Sequence, residues 1–177
     1  MSKFNIVPGS ILLSSTKLDG SAWHRTLVMP LSVSNRVTGI IINQISTVSV
    51  DVLGFDLPYV YEDVPVYLGG PVKPRDIKLL HSTDWQTETS SVFYNDVAVT
   101  ADTAAIDMFK IHQVPEYYRF IAGGVWWTRE RLNKELDDKL WIPLSMNSTS
   151  VLAIPSTEQW DFVVSELSQK IVNKYFD

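Results

Sequence analysis

An adjacent histidine and serine are the first place in this sequence where chemistry could be done. His81-Ser82, with Asp84 two residues on, supplies the types needed for a base, a nucleophile and an orienting carboxylate. Strand geometry works against the pair, because neighbours point to opposite faces. No nucleophile-elbow motif surrounds the serine either. A hydrogen-bonded histidine and a strand-end serine are the preferred reading. Gly69-Gly70-Pro71 is a second candidate, as an anion-cradling loop. Such loops need several inward-facing amides with a helix behind them. Pro71 has no amide to offer, a strand is expected next, and the lysine-hydroxyl pair of a Walker loop is absent. A tight turn with close backbone approach is preferred. Asn43 ends an apolar run, where it either meets a ligand or closes the strand by bonding backbone in the following turn; the turn reading comes first.

Trp126-Trp127, after Gly123-Gly124, is the most distinctive apolar feature. Alternation would send one ring inward and the other to a partner or a stacked base, although packing of both is the preferred reading. His24, His81 and His112 are the three histidines, and none has metal-ligand spacing to another histidine or a carboxylate pair. With no cysteine, thiolate chemistry and cysteine-held zinc are excluded. No metal and no cofactor are expected. Lys73, Arg75 and Lys78 form a small basic group, but no standard nucleic-acid reading motif accompanies it.

The elements that must position these residues are short. Strands are expected over 11–13, 26–31, 39–43, 65–68, 78–82, 118–122, 141–146 and 150–154, with a hairpin of 91–94 and 97–100 around Asn95-Asp96. The β-branched run at 39–43 reads as buried on both faces. Helices are expected over 46–55, over 103–110 behind an Asp102 cap, after a Thr128 cap, and from Pro155 onward. In the last of these, Trp160, Val163, Val164, Leu167 and Ile171 make the clearest helical stripe in the chain. Strands cluster without strict βαβ alternation, so the expected class is α+β: a mixed, mostly antiparallel sheet with about four helices packed on it. No repeat or composition break divides residues 1–177, and one domain is expected.

Composition is that of a folded globular chain: 177 residues, 45% hydrophobic and 20% charged, with six tryptophans. The net charge of -5 disfavours nucleic acid and anionic lipid as partners. No apolar run approaches membrane-spanning length, and the first ten residues lack the apolar core of a secretory signal. A cytoplasmic protein with no membrane partner is expected.

Taken in order, these segments resemble the AlgH/YqgE family. The resemblance is carried by residues 8–13 (PGSILL), 23–28 (WHRTLV), 39–43 (GIIIN), 65–72 (PVYLGGPV), the spacing to His81-Ser82, and 123–136 (GGVWWTRERLNKEL). The chain departs from the pattern at Gln44-Ile45, where the family commonly has Arg-Pro. It departs again near Ser32, where the family has histidine, and at Trp126, where it has a second glycine. The family is labelled as putative transcriptional regulators without a defined activity, so the resemblance implies a fold and a non-catalytic regulatory or protein-interaction role. Candidate binding residues are Asn43, Gly69, Gly70, His81, Ser82, Trp126 and Trp127, with no catalytic residue assigned. An enzyme with a pocket near Asn43, His81 and Ser82, and a nucleic-acid-binding regulator using residues 73–78, are the alternatives.

Overall fold

The computed structural model describes residues 5–94 and 96–176; residues 1–4 and Asn95, at the expected hairpin turn, lie outside the described residues. A curled sheet is built from β1 (Ile11–Ser14), β2 (Leu27–Val33), β3 (Arg36–Ile41), β4 (Ile45–Ser49), β5 (Pro65–Leu68), β6 (Val72–Ser82), β7 (Ser91–Phe93), β8 (Val97–Thr100), β9 (Tyr118–Thr128) and β10 (Trp141–Leu144). The helices are α1 (Ala104–Lys110), α2 (Arg129–Asp137), α3 (Ser148–Leu152) and α4 (Gln159–Phe176). The main path of the sheet runs β10-β1-β2-β3-β9-β6-β8-β7, with β4 and β5 joined at the side. Among the described pairings only β5 with β9 is parallel, so the sheet is mixed and mostly antiparallel. No helix of the described residues is long and apolar enough to cross a membrane.

Period-two alternation sorts the strand residues onto two buried faces. Ile11, Leu13, Ile40, Ile42, Leu80 and Ile121 pack on α3 and α4, with Val163 of α4 fully buried among them. Their neighbours Leu12 and Ile41 turn to the other face, where they pack with Trp127 and with Leu132 and Leu136 of α2. Leu79 and Phe120 share that opposite sense and pack with Ala105 and Phe109 of α1. The β-branched run of β3 is therefore buried on both sides, as its composition implies.

Strand β9 organises the sheet. One edge pairs with β6 along its length, from Tyr118 to Gly124. Its other edge changes partner midway: residues 120–122 pair with β5, and residues 125–128 pair with β3. The exchange takes place at glycines. A Cβ on Gly70 (φ 138°) would lie 2.3 Å from the Gly124 carbonyl oxygen, and one on Gly123 (φ 77°) would lie 2.3 Å from the Gly70 oxygen. Only a residue without a Cβ allows two backbones to approach this closely while adopting a positive φ. β6 bulges at the same level, where residues 73–76 face Gly123 alone between the Val72–Gly124 and Ile77–Ala122 pairs.

Three expectations are corrected. Residues 46–55 are not a helix: Ile45–Ser49 is strand β4, followed by a 3-10 turn at Val50–Leu53. Ile45 pairs with Tyr67, and β-branched Ile45, Thr47 and Val48 suit that pleated edge. Residues 150–154 are not a strand but lie in and just after α3. Asn147 caps Ser150 at 2.9 Å, while the distant Asp96 carboxylate accepts from the Ser148 amide at 2.8 Å. Finally, β9 does not stop at Gly123-Gly124 but continues through both to Thr128. Thr128 then accepts from the Arg131 amide and starts α2 as expected, and Asp102 accepts from the Ala104 amide at the head of α1.

Gly54 and Gly123 have nearly the same φ, 73° and 77°, but a Cβ on Gly54 meets nothing within 4 Å. Alanine at Gly54 therefore costs only left-handed strain, about 1–2 kcal/mol. Gly123→Ala is expected to cost about 1–3 kcal/mol more, from overpacking. Urea titration of both variants measures the difference, and equal losses would contradict the strand-crossing role.

Candidate functional site

The polar candidates Asn43, His81 and Ser82 have their hydrogen bonding engaged inside the fold. The Asn43 carbonyl oxygen accepts from the Leu27 amide and its Nδ2 donates to the Arg25 carbonyl, both at 2.9 Å. It ties the end of β3 to the start of β2, and not to the turn that follows it as expected, because both partners reach it across the paired strands. His81 is fully buried. Its Nδ1 lies 2.8 Å from the Ser82 carbonyl, which can only accept, so the proton of the neutral ring sits on Nδ1. Nε2 then accepts from the Thr100 hydroxyl at 2.9 Å, and Thr100 accepts in turn from Ser90 at 2.7 Å. Burial lowers the His81 pKa below its ordinary 6.5, outweighing the opposing pull of the Ser82 carbonyl and Asp84.

Ser82 points elsewhere. Its hydroxyl donates to Asp84 and accepts from the Tyr117 amide at 3.0 Å, while the second Asp84 oxygen takes the Glu116 amide at 3.0 Å. Partial burial pushes the Asp84 carboxyl up, but these hydrogen bonds outweigh it and hold the group below its ordinary value. The arrangement clamps the loop after β6 to the lead-in of β9. Asn43, His81 and Ser82 share no hydrogen-bond partner. Gly69 is no anion cradle, because its amide donates to Ala122 at 2.7 Å and its carbonyl accepts from Ile41 at 2.8 Å, as part of the sheet.

The tryptophan pair divides. Trp127 is 3% exposed, and its indole N–H meets a Glu135 carboxylate oxygen at 2.9 Å; Trp141 donates to the same oxygen at 2.8 Å. Trp23 completes the cluster, with ring centroids 5.6 Å from Trp141 and 6.4 Å from Trp127. Trp126 is 41% exposed, and the Arg36 guanidinium stacks 4.0 Å above its ring. The expectation that both rings are packed is corrected: β9 continues as a strand to Thr128, so alternation turns Trp126 outward. In the 73–78 segment, Lys73 faces Asp76 at 3.9 Å and Lys78 is partly buried, its pKa lowered first by desolvation.

A concave surface lies beside these residues but is lined by none of the seven candidates; it adjoins Gly69 through Leu68 and His81 through Thr100. It is a groove of about 710 Å3 whose floor is the α1-facing side of three strands. Two cross-strand rows form that floor: Val66, Phe120 and Leu79, then Leu68, Ala122 and Ile77. Val48, Val52, Leu53 and Phe55 wall one side, and residues 101–103 with Ala105 and Ile106 at the head of α1 wall another. Ala122 is the smallest side chain of its row, flanked by two larger ones, so it leaves a hollow there. Val52 is 69% exposed and Leu68 48% exposed, which keeps part of the wall and floor open to solvent. Arg75, on the β6 bulge, also lines the groove. Its signal in the sequence is the pairing of apolar residues two apart in three strands, which becomes a surface only once the register is known.

A smaller cavity of about 330 Å3 lies beside Arg119. That guanidinium is 5% exposed and binds the carbonyls of Ile42 (2.5 Å) and Leu152 (3.2 Å) and the Gln159 side chain (2.9 Å), with the Tyr67 ring 4.8 Å away. It staples β9 to α3 and α4. Among the described residues no cluster of three or more histidine or acidic side chains could hold a metal ion.

Comparison with known proteins bears on the whole architecture. A family model described as AlgH-like matches residues 11–172. A UPF0301 protein of Rickettsia typhi is 28% identical over 153 residues, covering 82% of this chain and 79% of the relative. A UPF0301 protein of Rickettsia africae is 30% identical over 104 residues, covering 59% of this chain; the match spans about half (55%) of that relative's length. Among solved structures, the AlgH protein of Pseudomonas aeruginosa superposes with a TM-score of 0.77 at 16% identity, covering 100% of this chain and 98% of the other. A Corynebacterium diphtheriae protein reaches 0.71 at 15% identity, covering 92% and 88%. At these identities the two structures speak for the fold.

Two outcomes follow from the site geometry. Trp127→Ala is expected to destabilise by about 3–5 kcal/mol and Trp126→Ala by no more than about 1 kcal/mol; denaturant titration separates them, and equal losses would contradict the assignment. For His81, the unfolded chain takes up a proton near 6.5 while the folded protein resists until lower pH. The folded state is therefore fully favoured above that value and loses stability as pH falls from it toward the depressed folded pKa. Between about pH 7.5 and 5.5, wild type should lose more stability than His81→Gln. Parallel slopes would show that His81 does not carry the effect.

Proposed function

The chain belongs to the AlgH-like family, and we propose that it is a non-catalytic regulatory protein that acts by binding, with the apolar groove as its recognition surface. One observation carries this reading: Leu68 (48% exposed), Val52 (69%) and Val48 (38%) line an open groove of about 710 Å3 over the buried row of Val66, Phe120 and Leu79. Apolar surface gathered in a concavity is a common mark of a recognition site. The enzyme alternative draws less support, because Asn43, His81 and Ser82 do not line this groove and their side chains are engaged in internal hydrogen bonds, with the Ser82 hydroxyl turned to Asp84 and not to His81. Nucleic-acid binding through residues 73–78 is disfavoured by the net charge of -5 and by Asp76 within the segment. A cytoplasmic location goes with this reading, in keeping with a cysteine-free sequence.

A second reading rests on the Trp126–Arg36 stack, a flat, half-exposed ledge of two residue types enriched at protein interfaces. It would serve a protein partner, and Trp126→Ala removes the ledge without disturbing the buried Trp127 cluster.

The groove is tested with a neutral apolar fluorophore, N-phenyl-1-naphthylamine. Wild type should bind it saturably, one per chain. Ala122→Trp, which fills the hollow between Leu68 and Ile77, should weaken binding at least about tenfold while circular dichroism stays that of the folded protein. Unsaturable binding, or equal binding by a folded Ala122→Trp variant, would overturn the assignment.

A further inference from the structure

The charges lining the groove single out one class of occupant. Arg75 and Asp102 are its charged lining residues. Asp102 is engaged: its carboxylate accepts from the Thr89 hydroxyl and, at 3.0 Å, from the Ala104 amide. Arg75 differs. It lies on the 73–76 bulge, where Lys73 takes Asp76 as its ionic partner at 3.9 Å. Among the described residues, none forms an ion pair or hydrogen bond with the Arg75 guanidinium. The bulge thus puts an exposed, unneutralised planar cation beside an apolar hollow. Bulges commonly aim a side chain at a functional site in this way.

Resting on the groove reading, we propose that the occupant is a free anionic amphiphile: an apolar chain or ring ending in a carboxylate or phosphate. Its tail lies over Ala122 between Leu68 and Ile77, and its head pairs with Arg75. The volume of about 710 Å3 falls within the range of small-molecule sites, about 300–1,000 Å3. A guanidinium offers two parallel N–H donors, a geometry that fits a carboxylate or phosphate better than a hydroxyl. Asp102 disfavours the anionic head on the α1 side, so the two charges together select one orientation. A free molecule is favoured over a lipid within a bilayer because the net charge of -5 opposes docking on an anionic membrane surface.

The test is competition against N-phenyl-1-naphthylamine by dodecanoate, dodecyl phosphate and 1-dodecanol, each below its aggregation limit. The two anions should displace the fluorophore at concentrations at least about tenfold lower than the alcohol. Arg75→Gln should bring the anions to the level of the alcohol and leave the alcohol unchanged. Equal displacement by acid and alcohol in wild type, or an unaltered preference in Arg75→Gln, would overturn the head-group assignment while leaving the groove reading intact. Failure of the fluorophore itself to bind would overturn both. Sedimentation with phosphatidylglycerol vesicles separates the two lipid sources. Protein remaining in the supernatant is expected, and Arg75-dependent pelleting without displacement by free dodecanoate would favour a bilayer instead.

Discussion

Where Gly70 crosses Gly123, two backbones come too close for either residue to carry a side chain, each carbon position lying 2.3 Å from a carbonyl oxygen of the other segment. Much else depends on this contact. It lets β9 exchange β5 for β3 along one edge, and it lets residues 73–76 swing out of β6 on the other. The bulge carries Arg75 to the groove, and the β5–β9–β6 register sets the two apolar rows of its floor. The glycine-rich segments most suggestive of ligand chemistry act instead as the joint that shapes an apolar groove alongside them.

The same redistribution holds for the polar residues. Leaving a buried histidine, asparagine or arginine without partners costs more than a formed hydrogen bond returns, and here the partners are internal. His81 reaches Thr100 and the Ser82 carbonyl, Asn43 ties the end of β3 to the start of β2, and Arg119 finds oxygens on Ile42, on α3 and on α4. These networks hold loops and helices to the sheet. Side chains engaged in this way are poorly placed to bind something else, which moves attention to surfaces with apolar exposure and an unmatched charge.

Much of the fold was legible from local pattern. The stripe through Trp160 and Val163, the caps at Asp102 and Thr128, and the β-branched run of β3 each require one element whatever surrounds them. Residues 46–55 and 148–152 were not legible in this way. The first owes its strand to pairing with Tyr67, a distant partner; the second has a local cap in Asn147, which its apolar, β-branched residues mask in the sequence, and a further tie from Asp96 some fifty residues away. Asn43 was not legible as a tie between strands, because the backbone groups it bonds, at Leu27 and Arg25, lie sixteen and eighteen residues earlier in the chain. The outward turn of Trp126 required knowing that β9 runs through its glycines.

By itself, then, the order of residues determined the α+β class, the family and most of the elements, because these follow from periodicity, caps and residue types acting over a few positions. Only the tertiary structure decided which residues form a surface. Leu68, Ala122 and Ile77 are neighbours because three strands take a particular register, and Arg75 stands beside them because the backbone bulges opposite one glycine. A groove assembled from segments far apart in the chain has no local pattern to announce it, since its geometry exists only once the strands are paired.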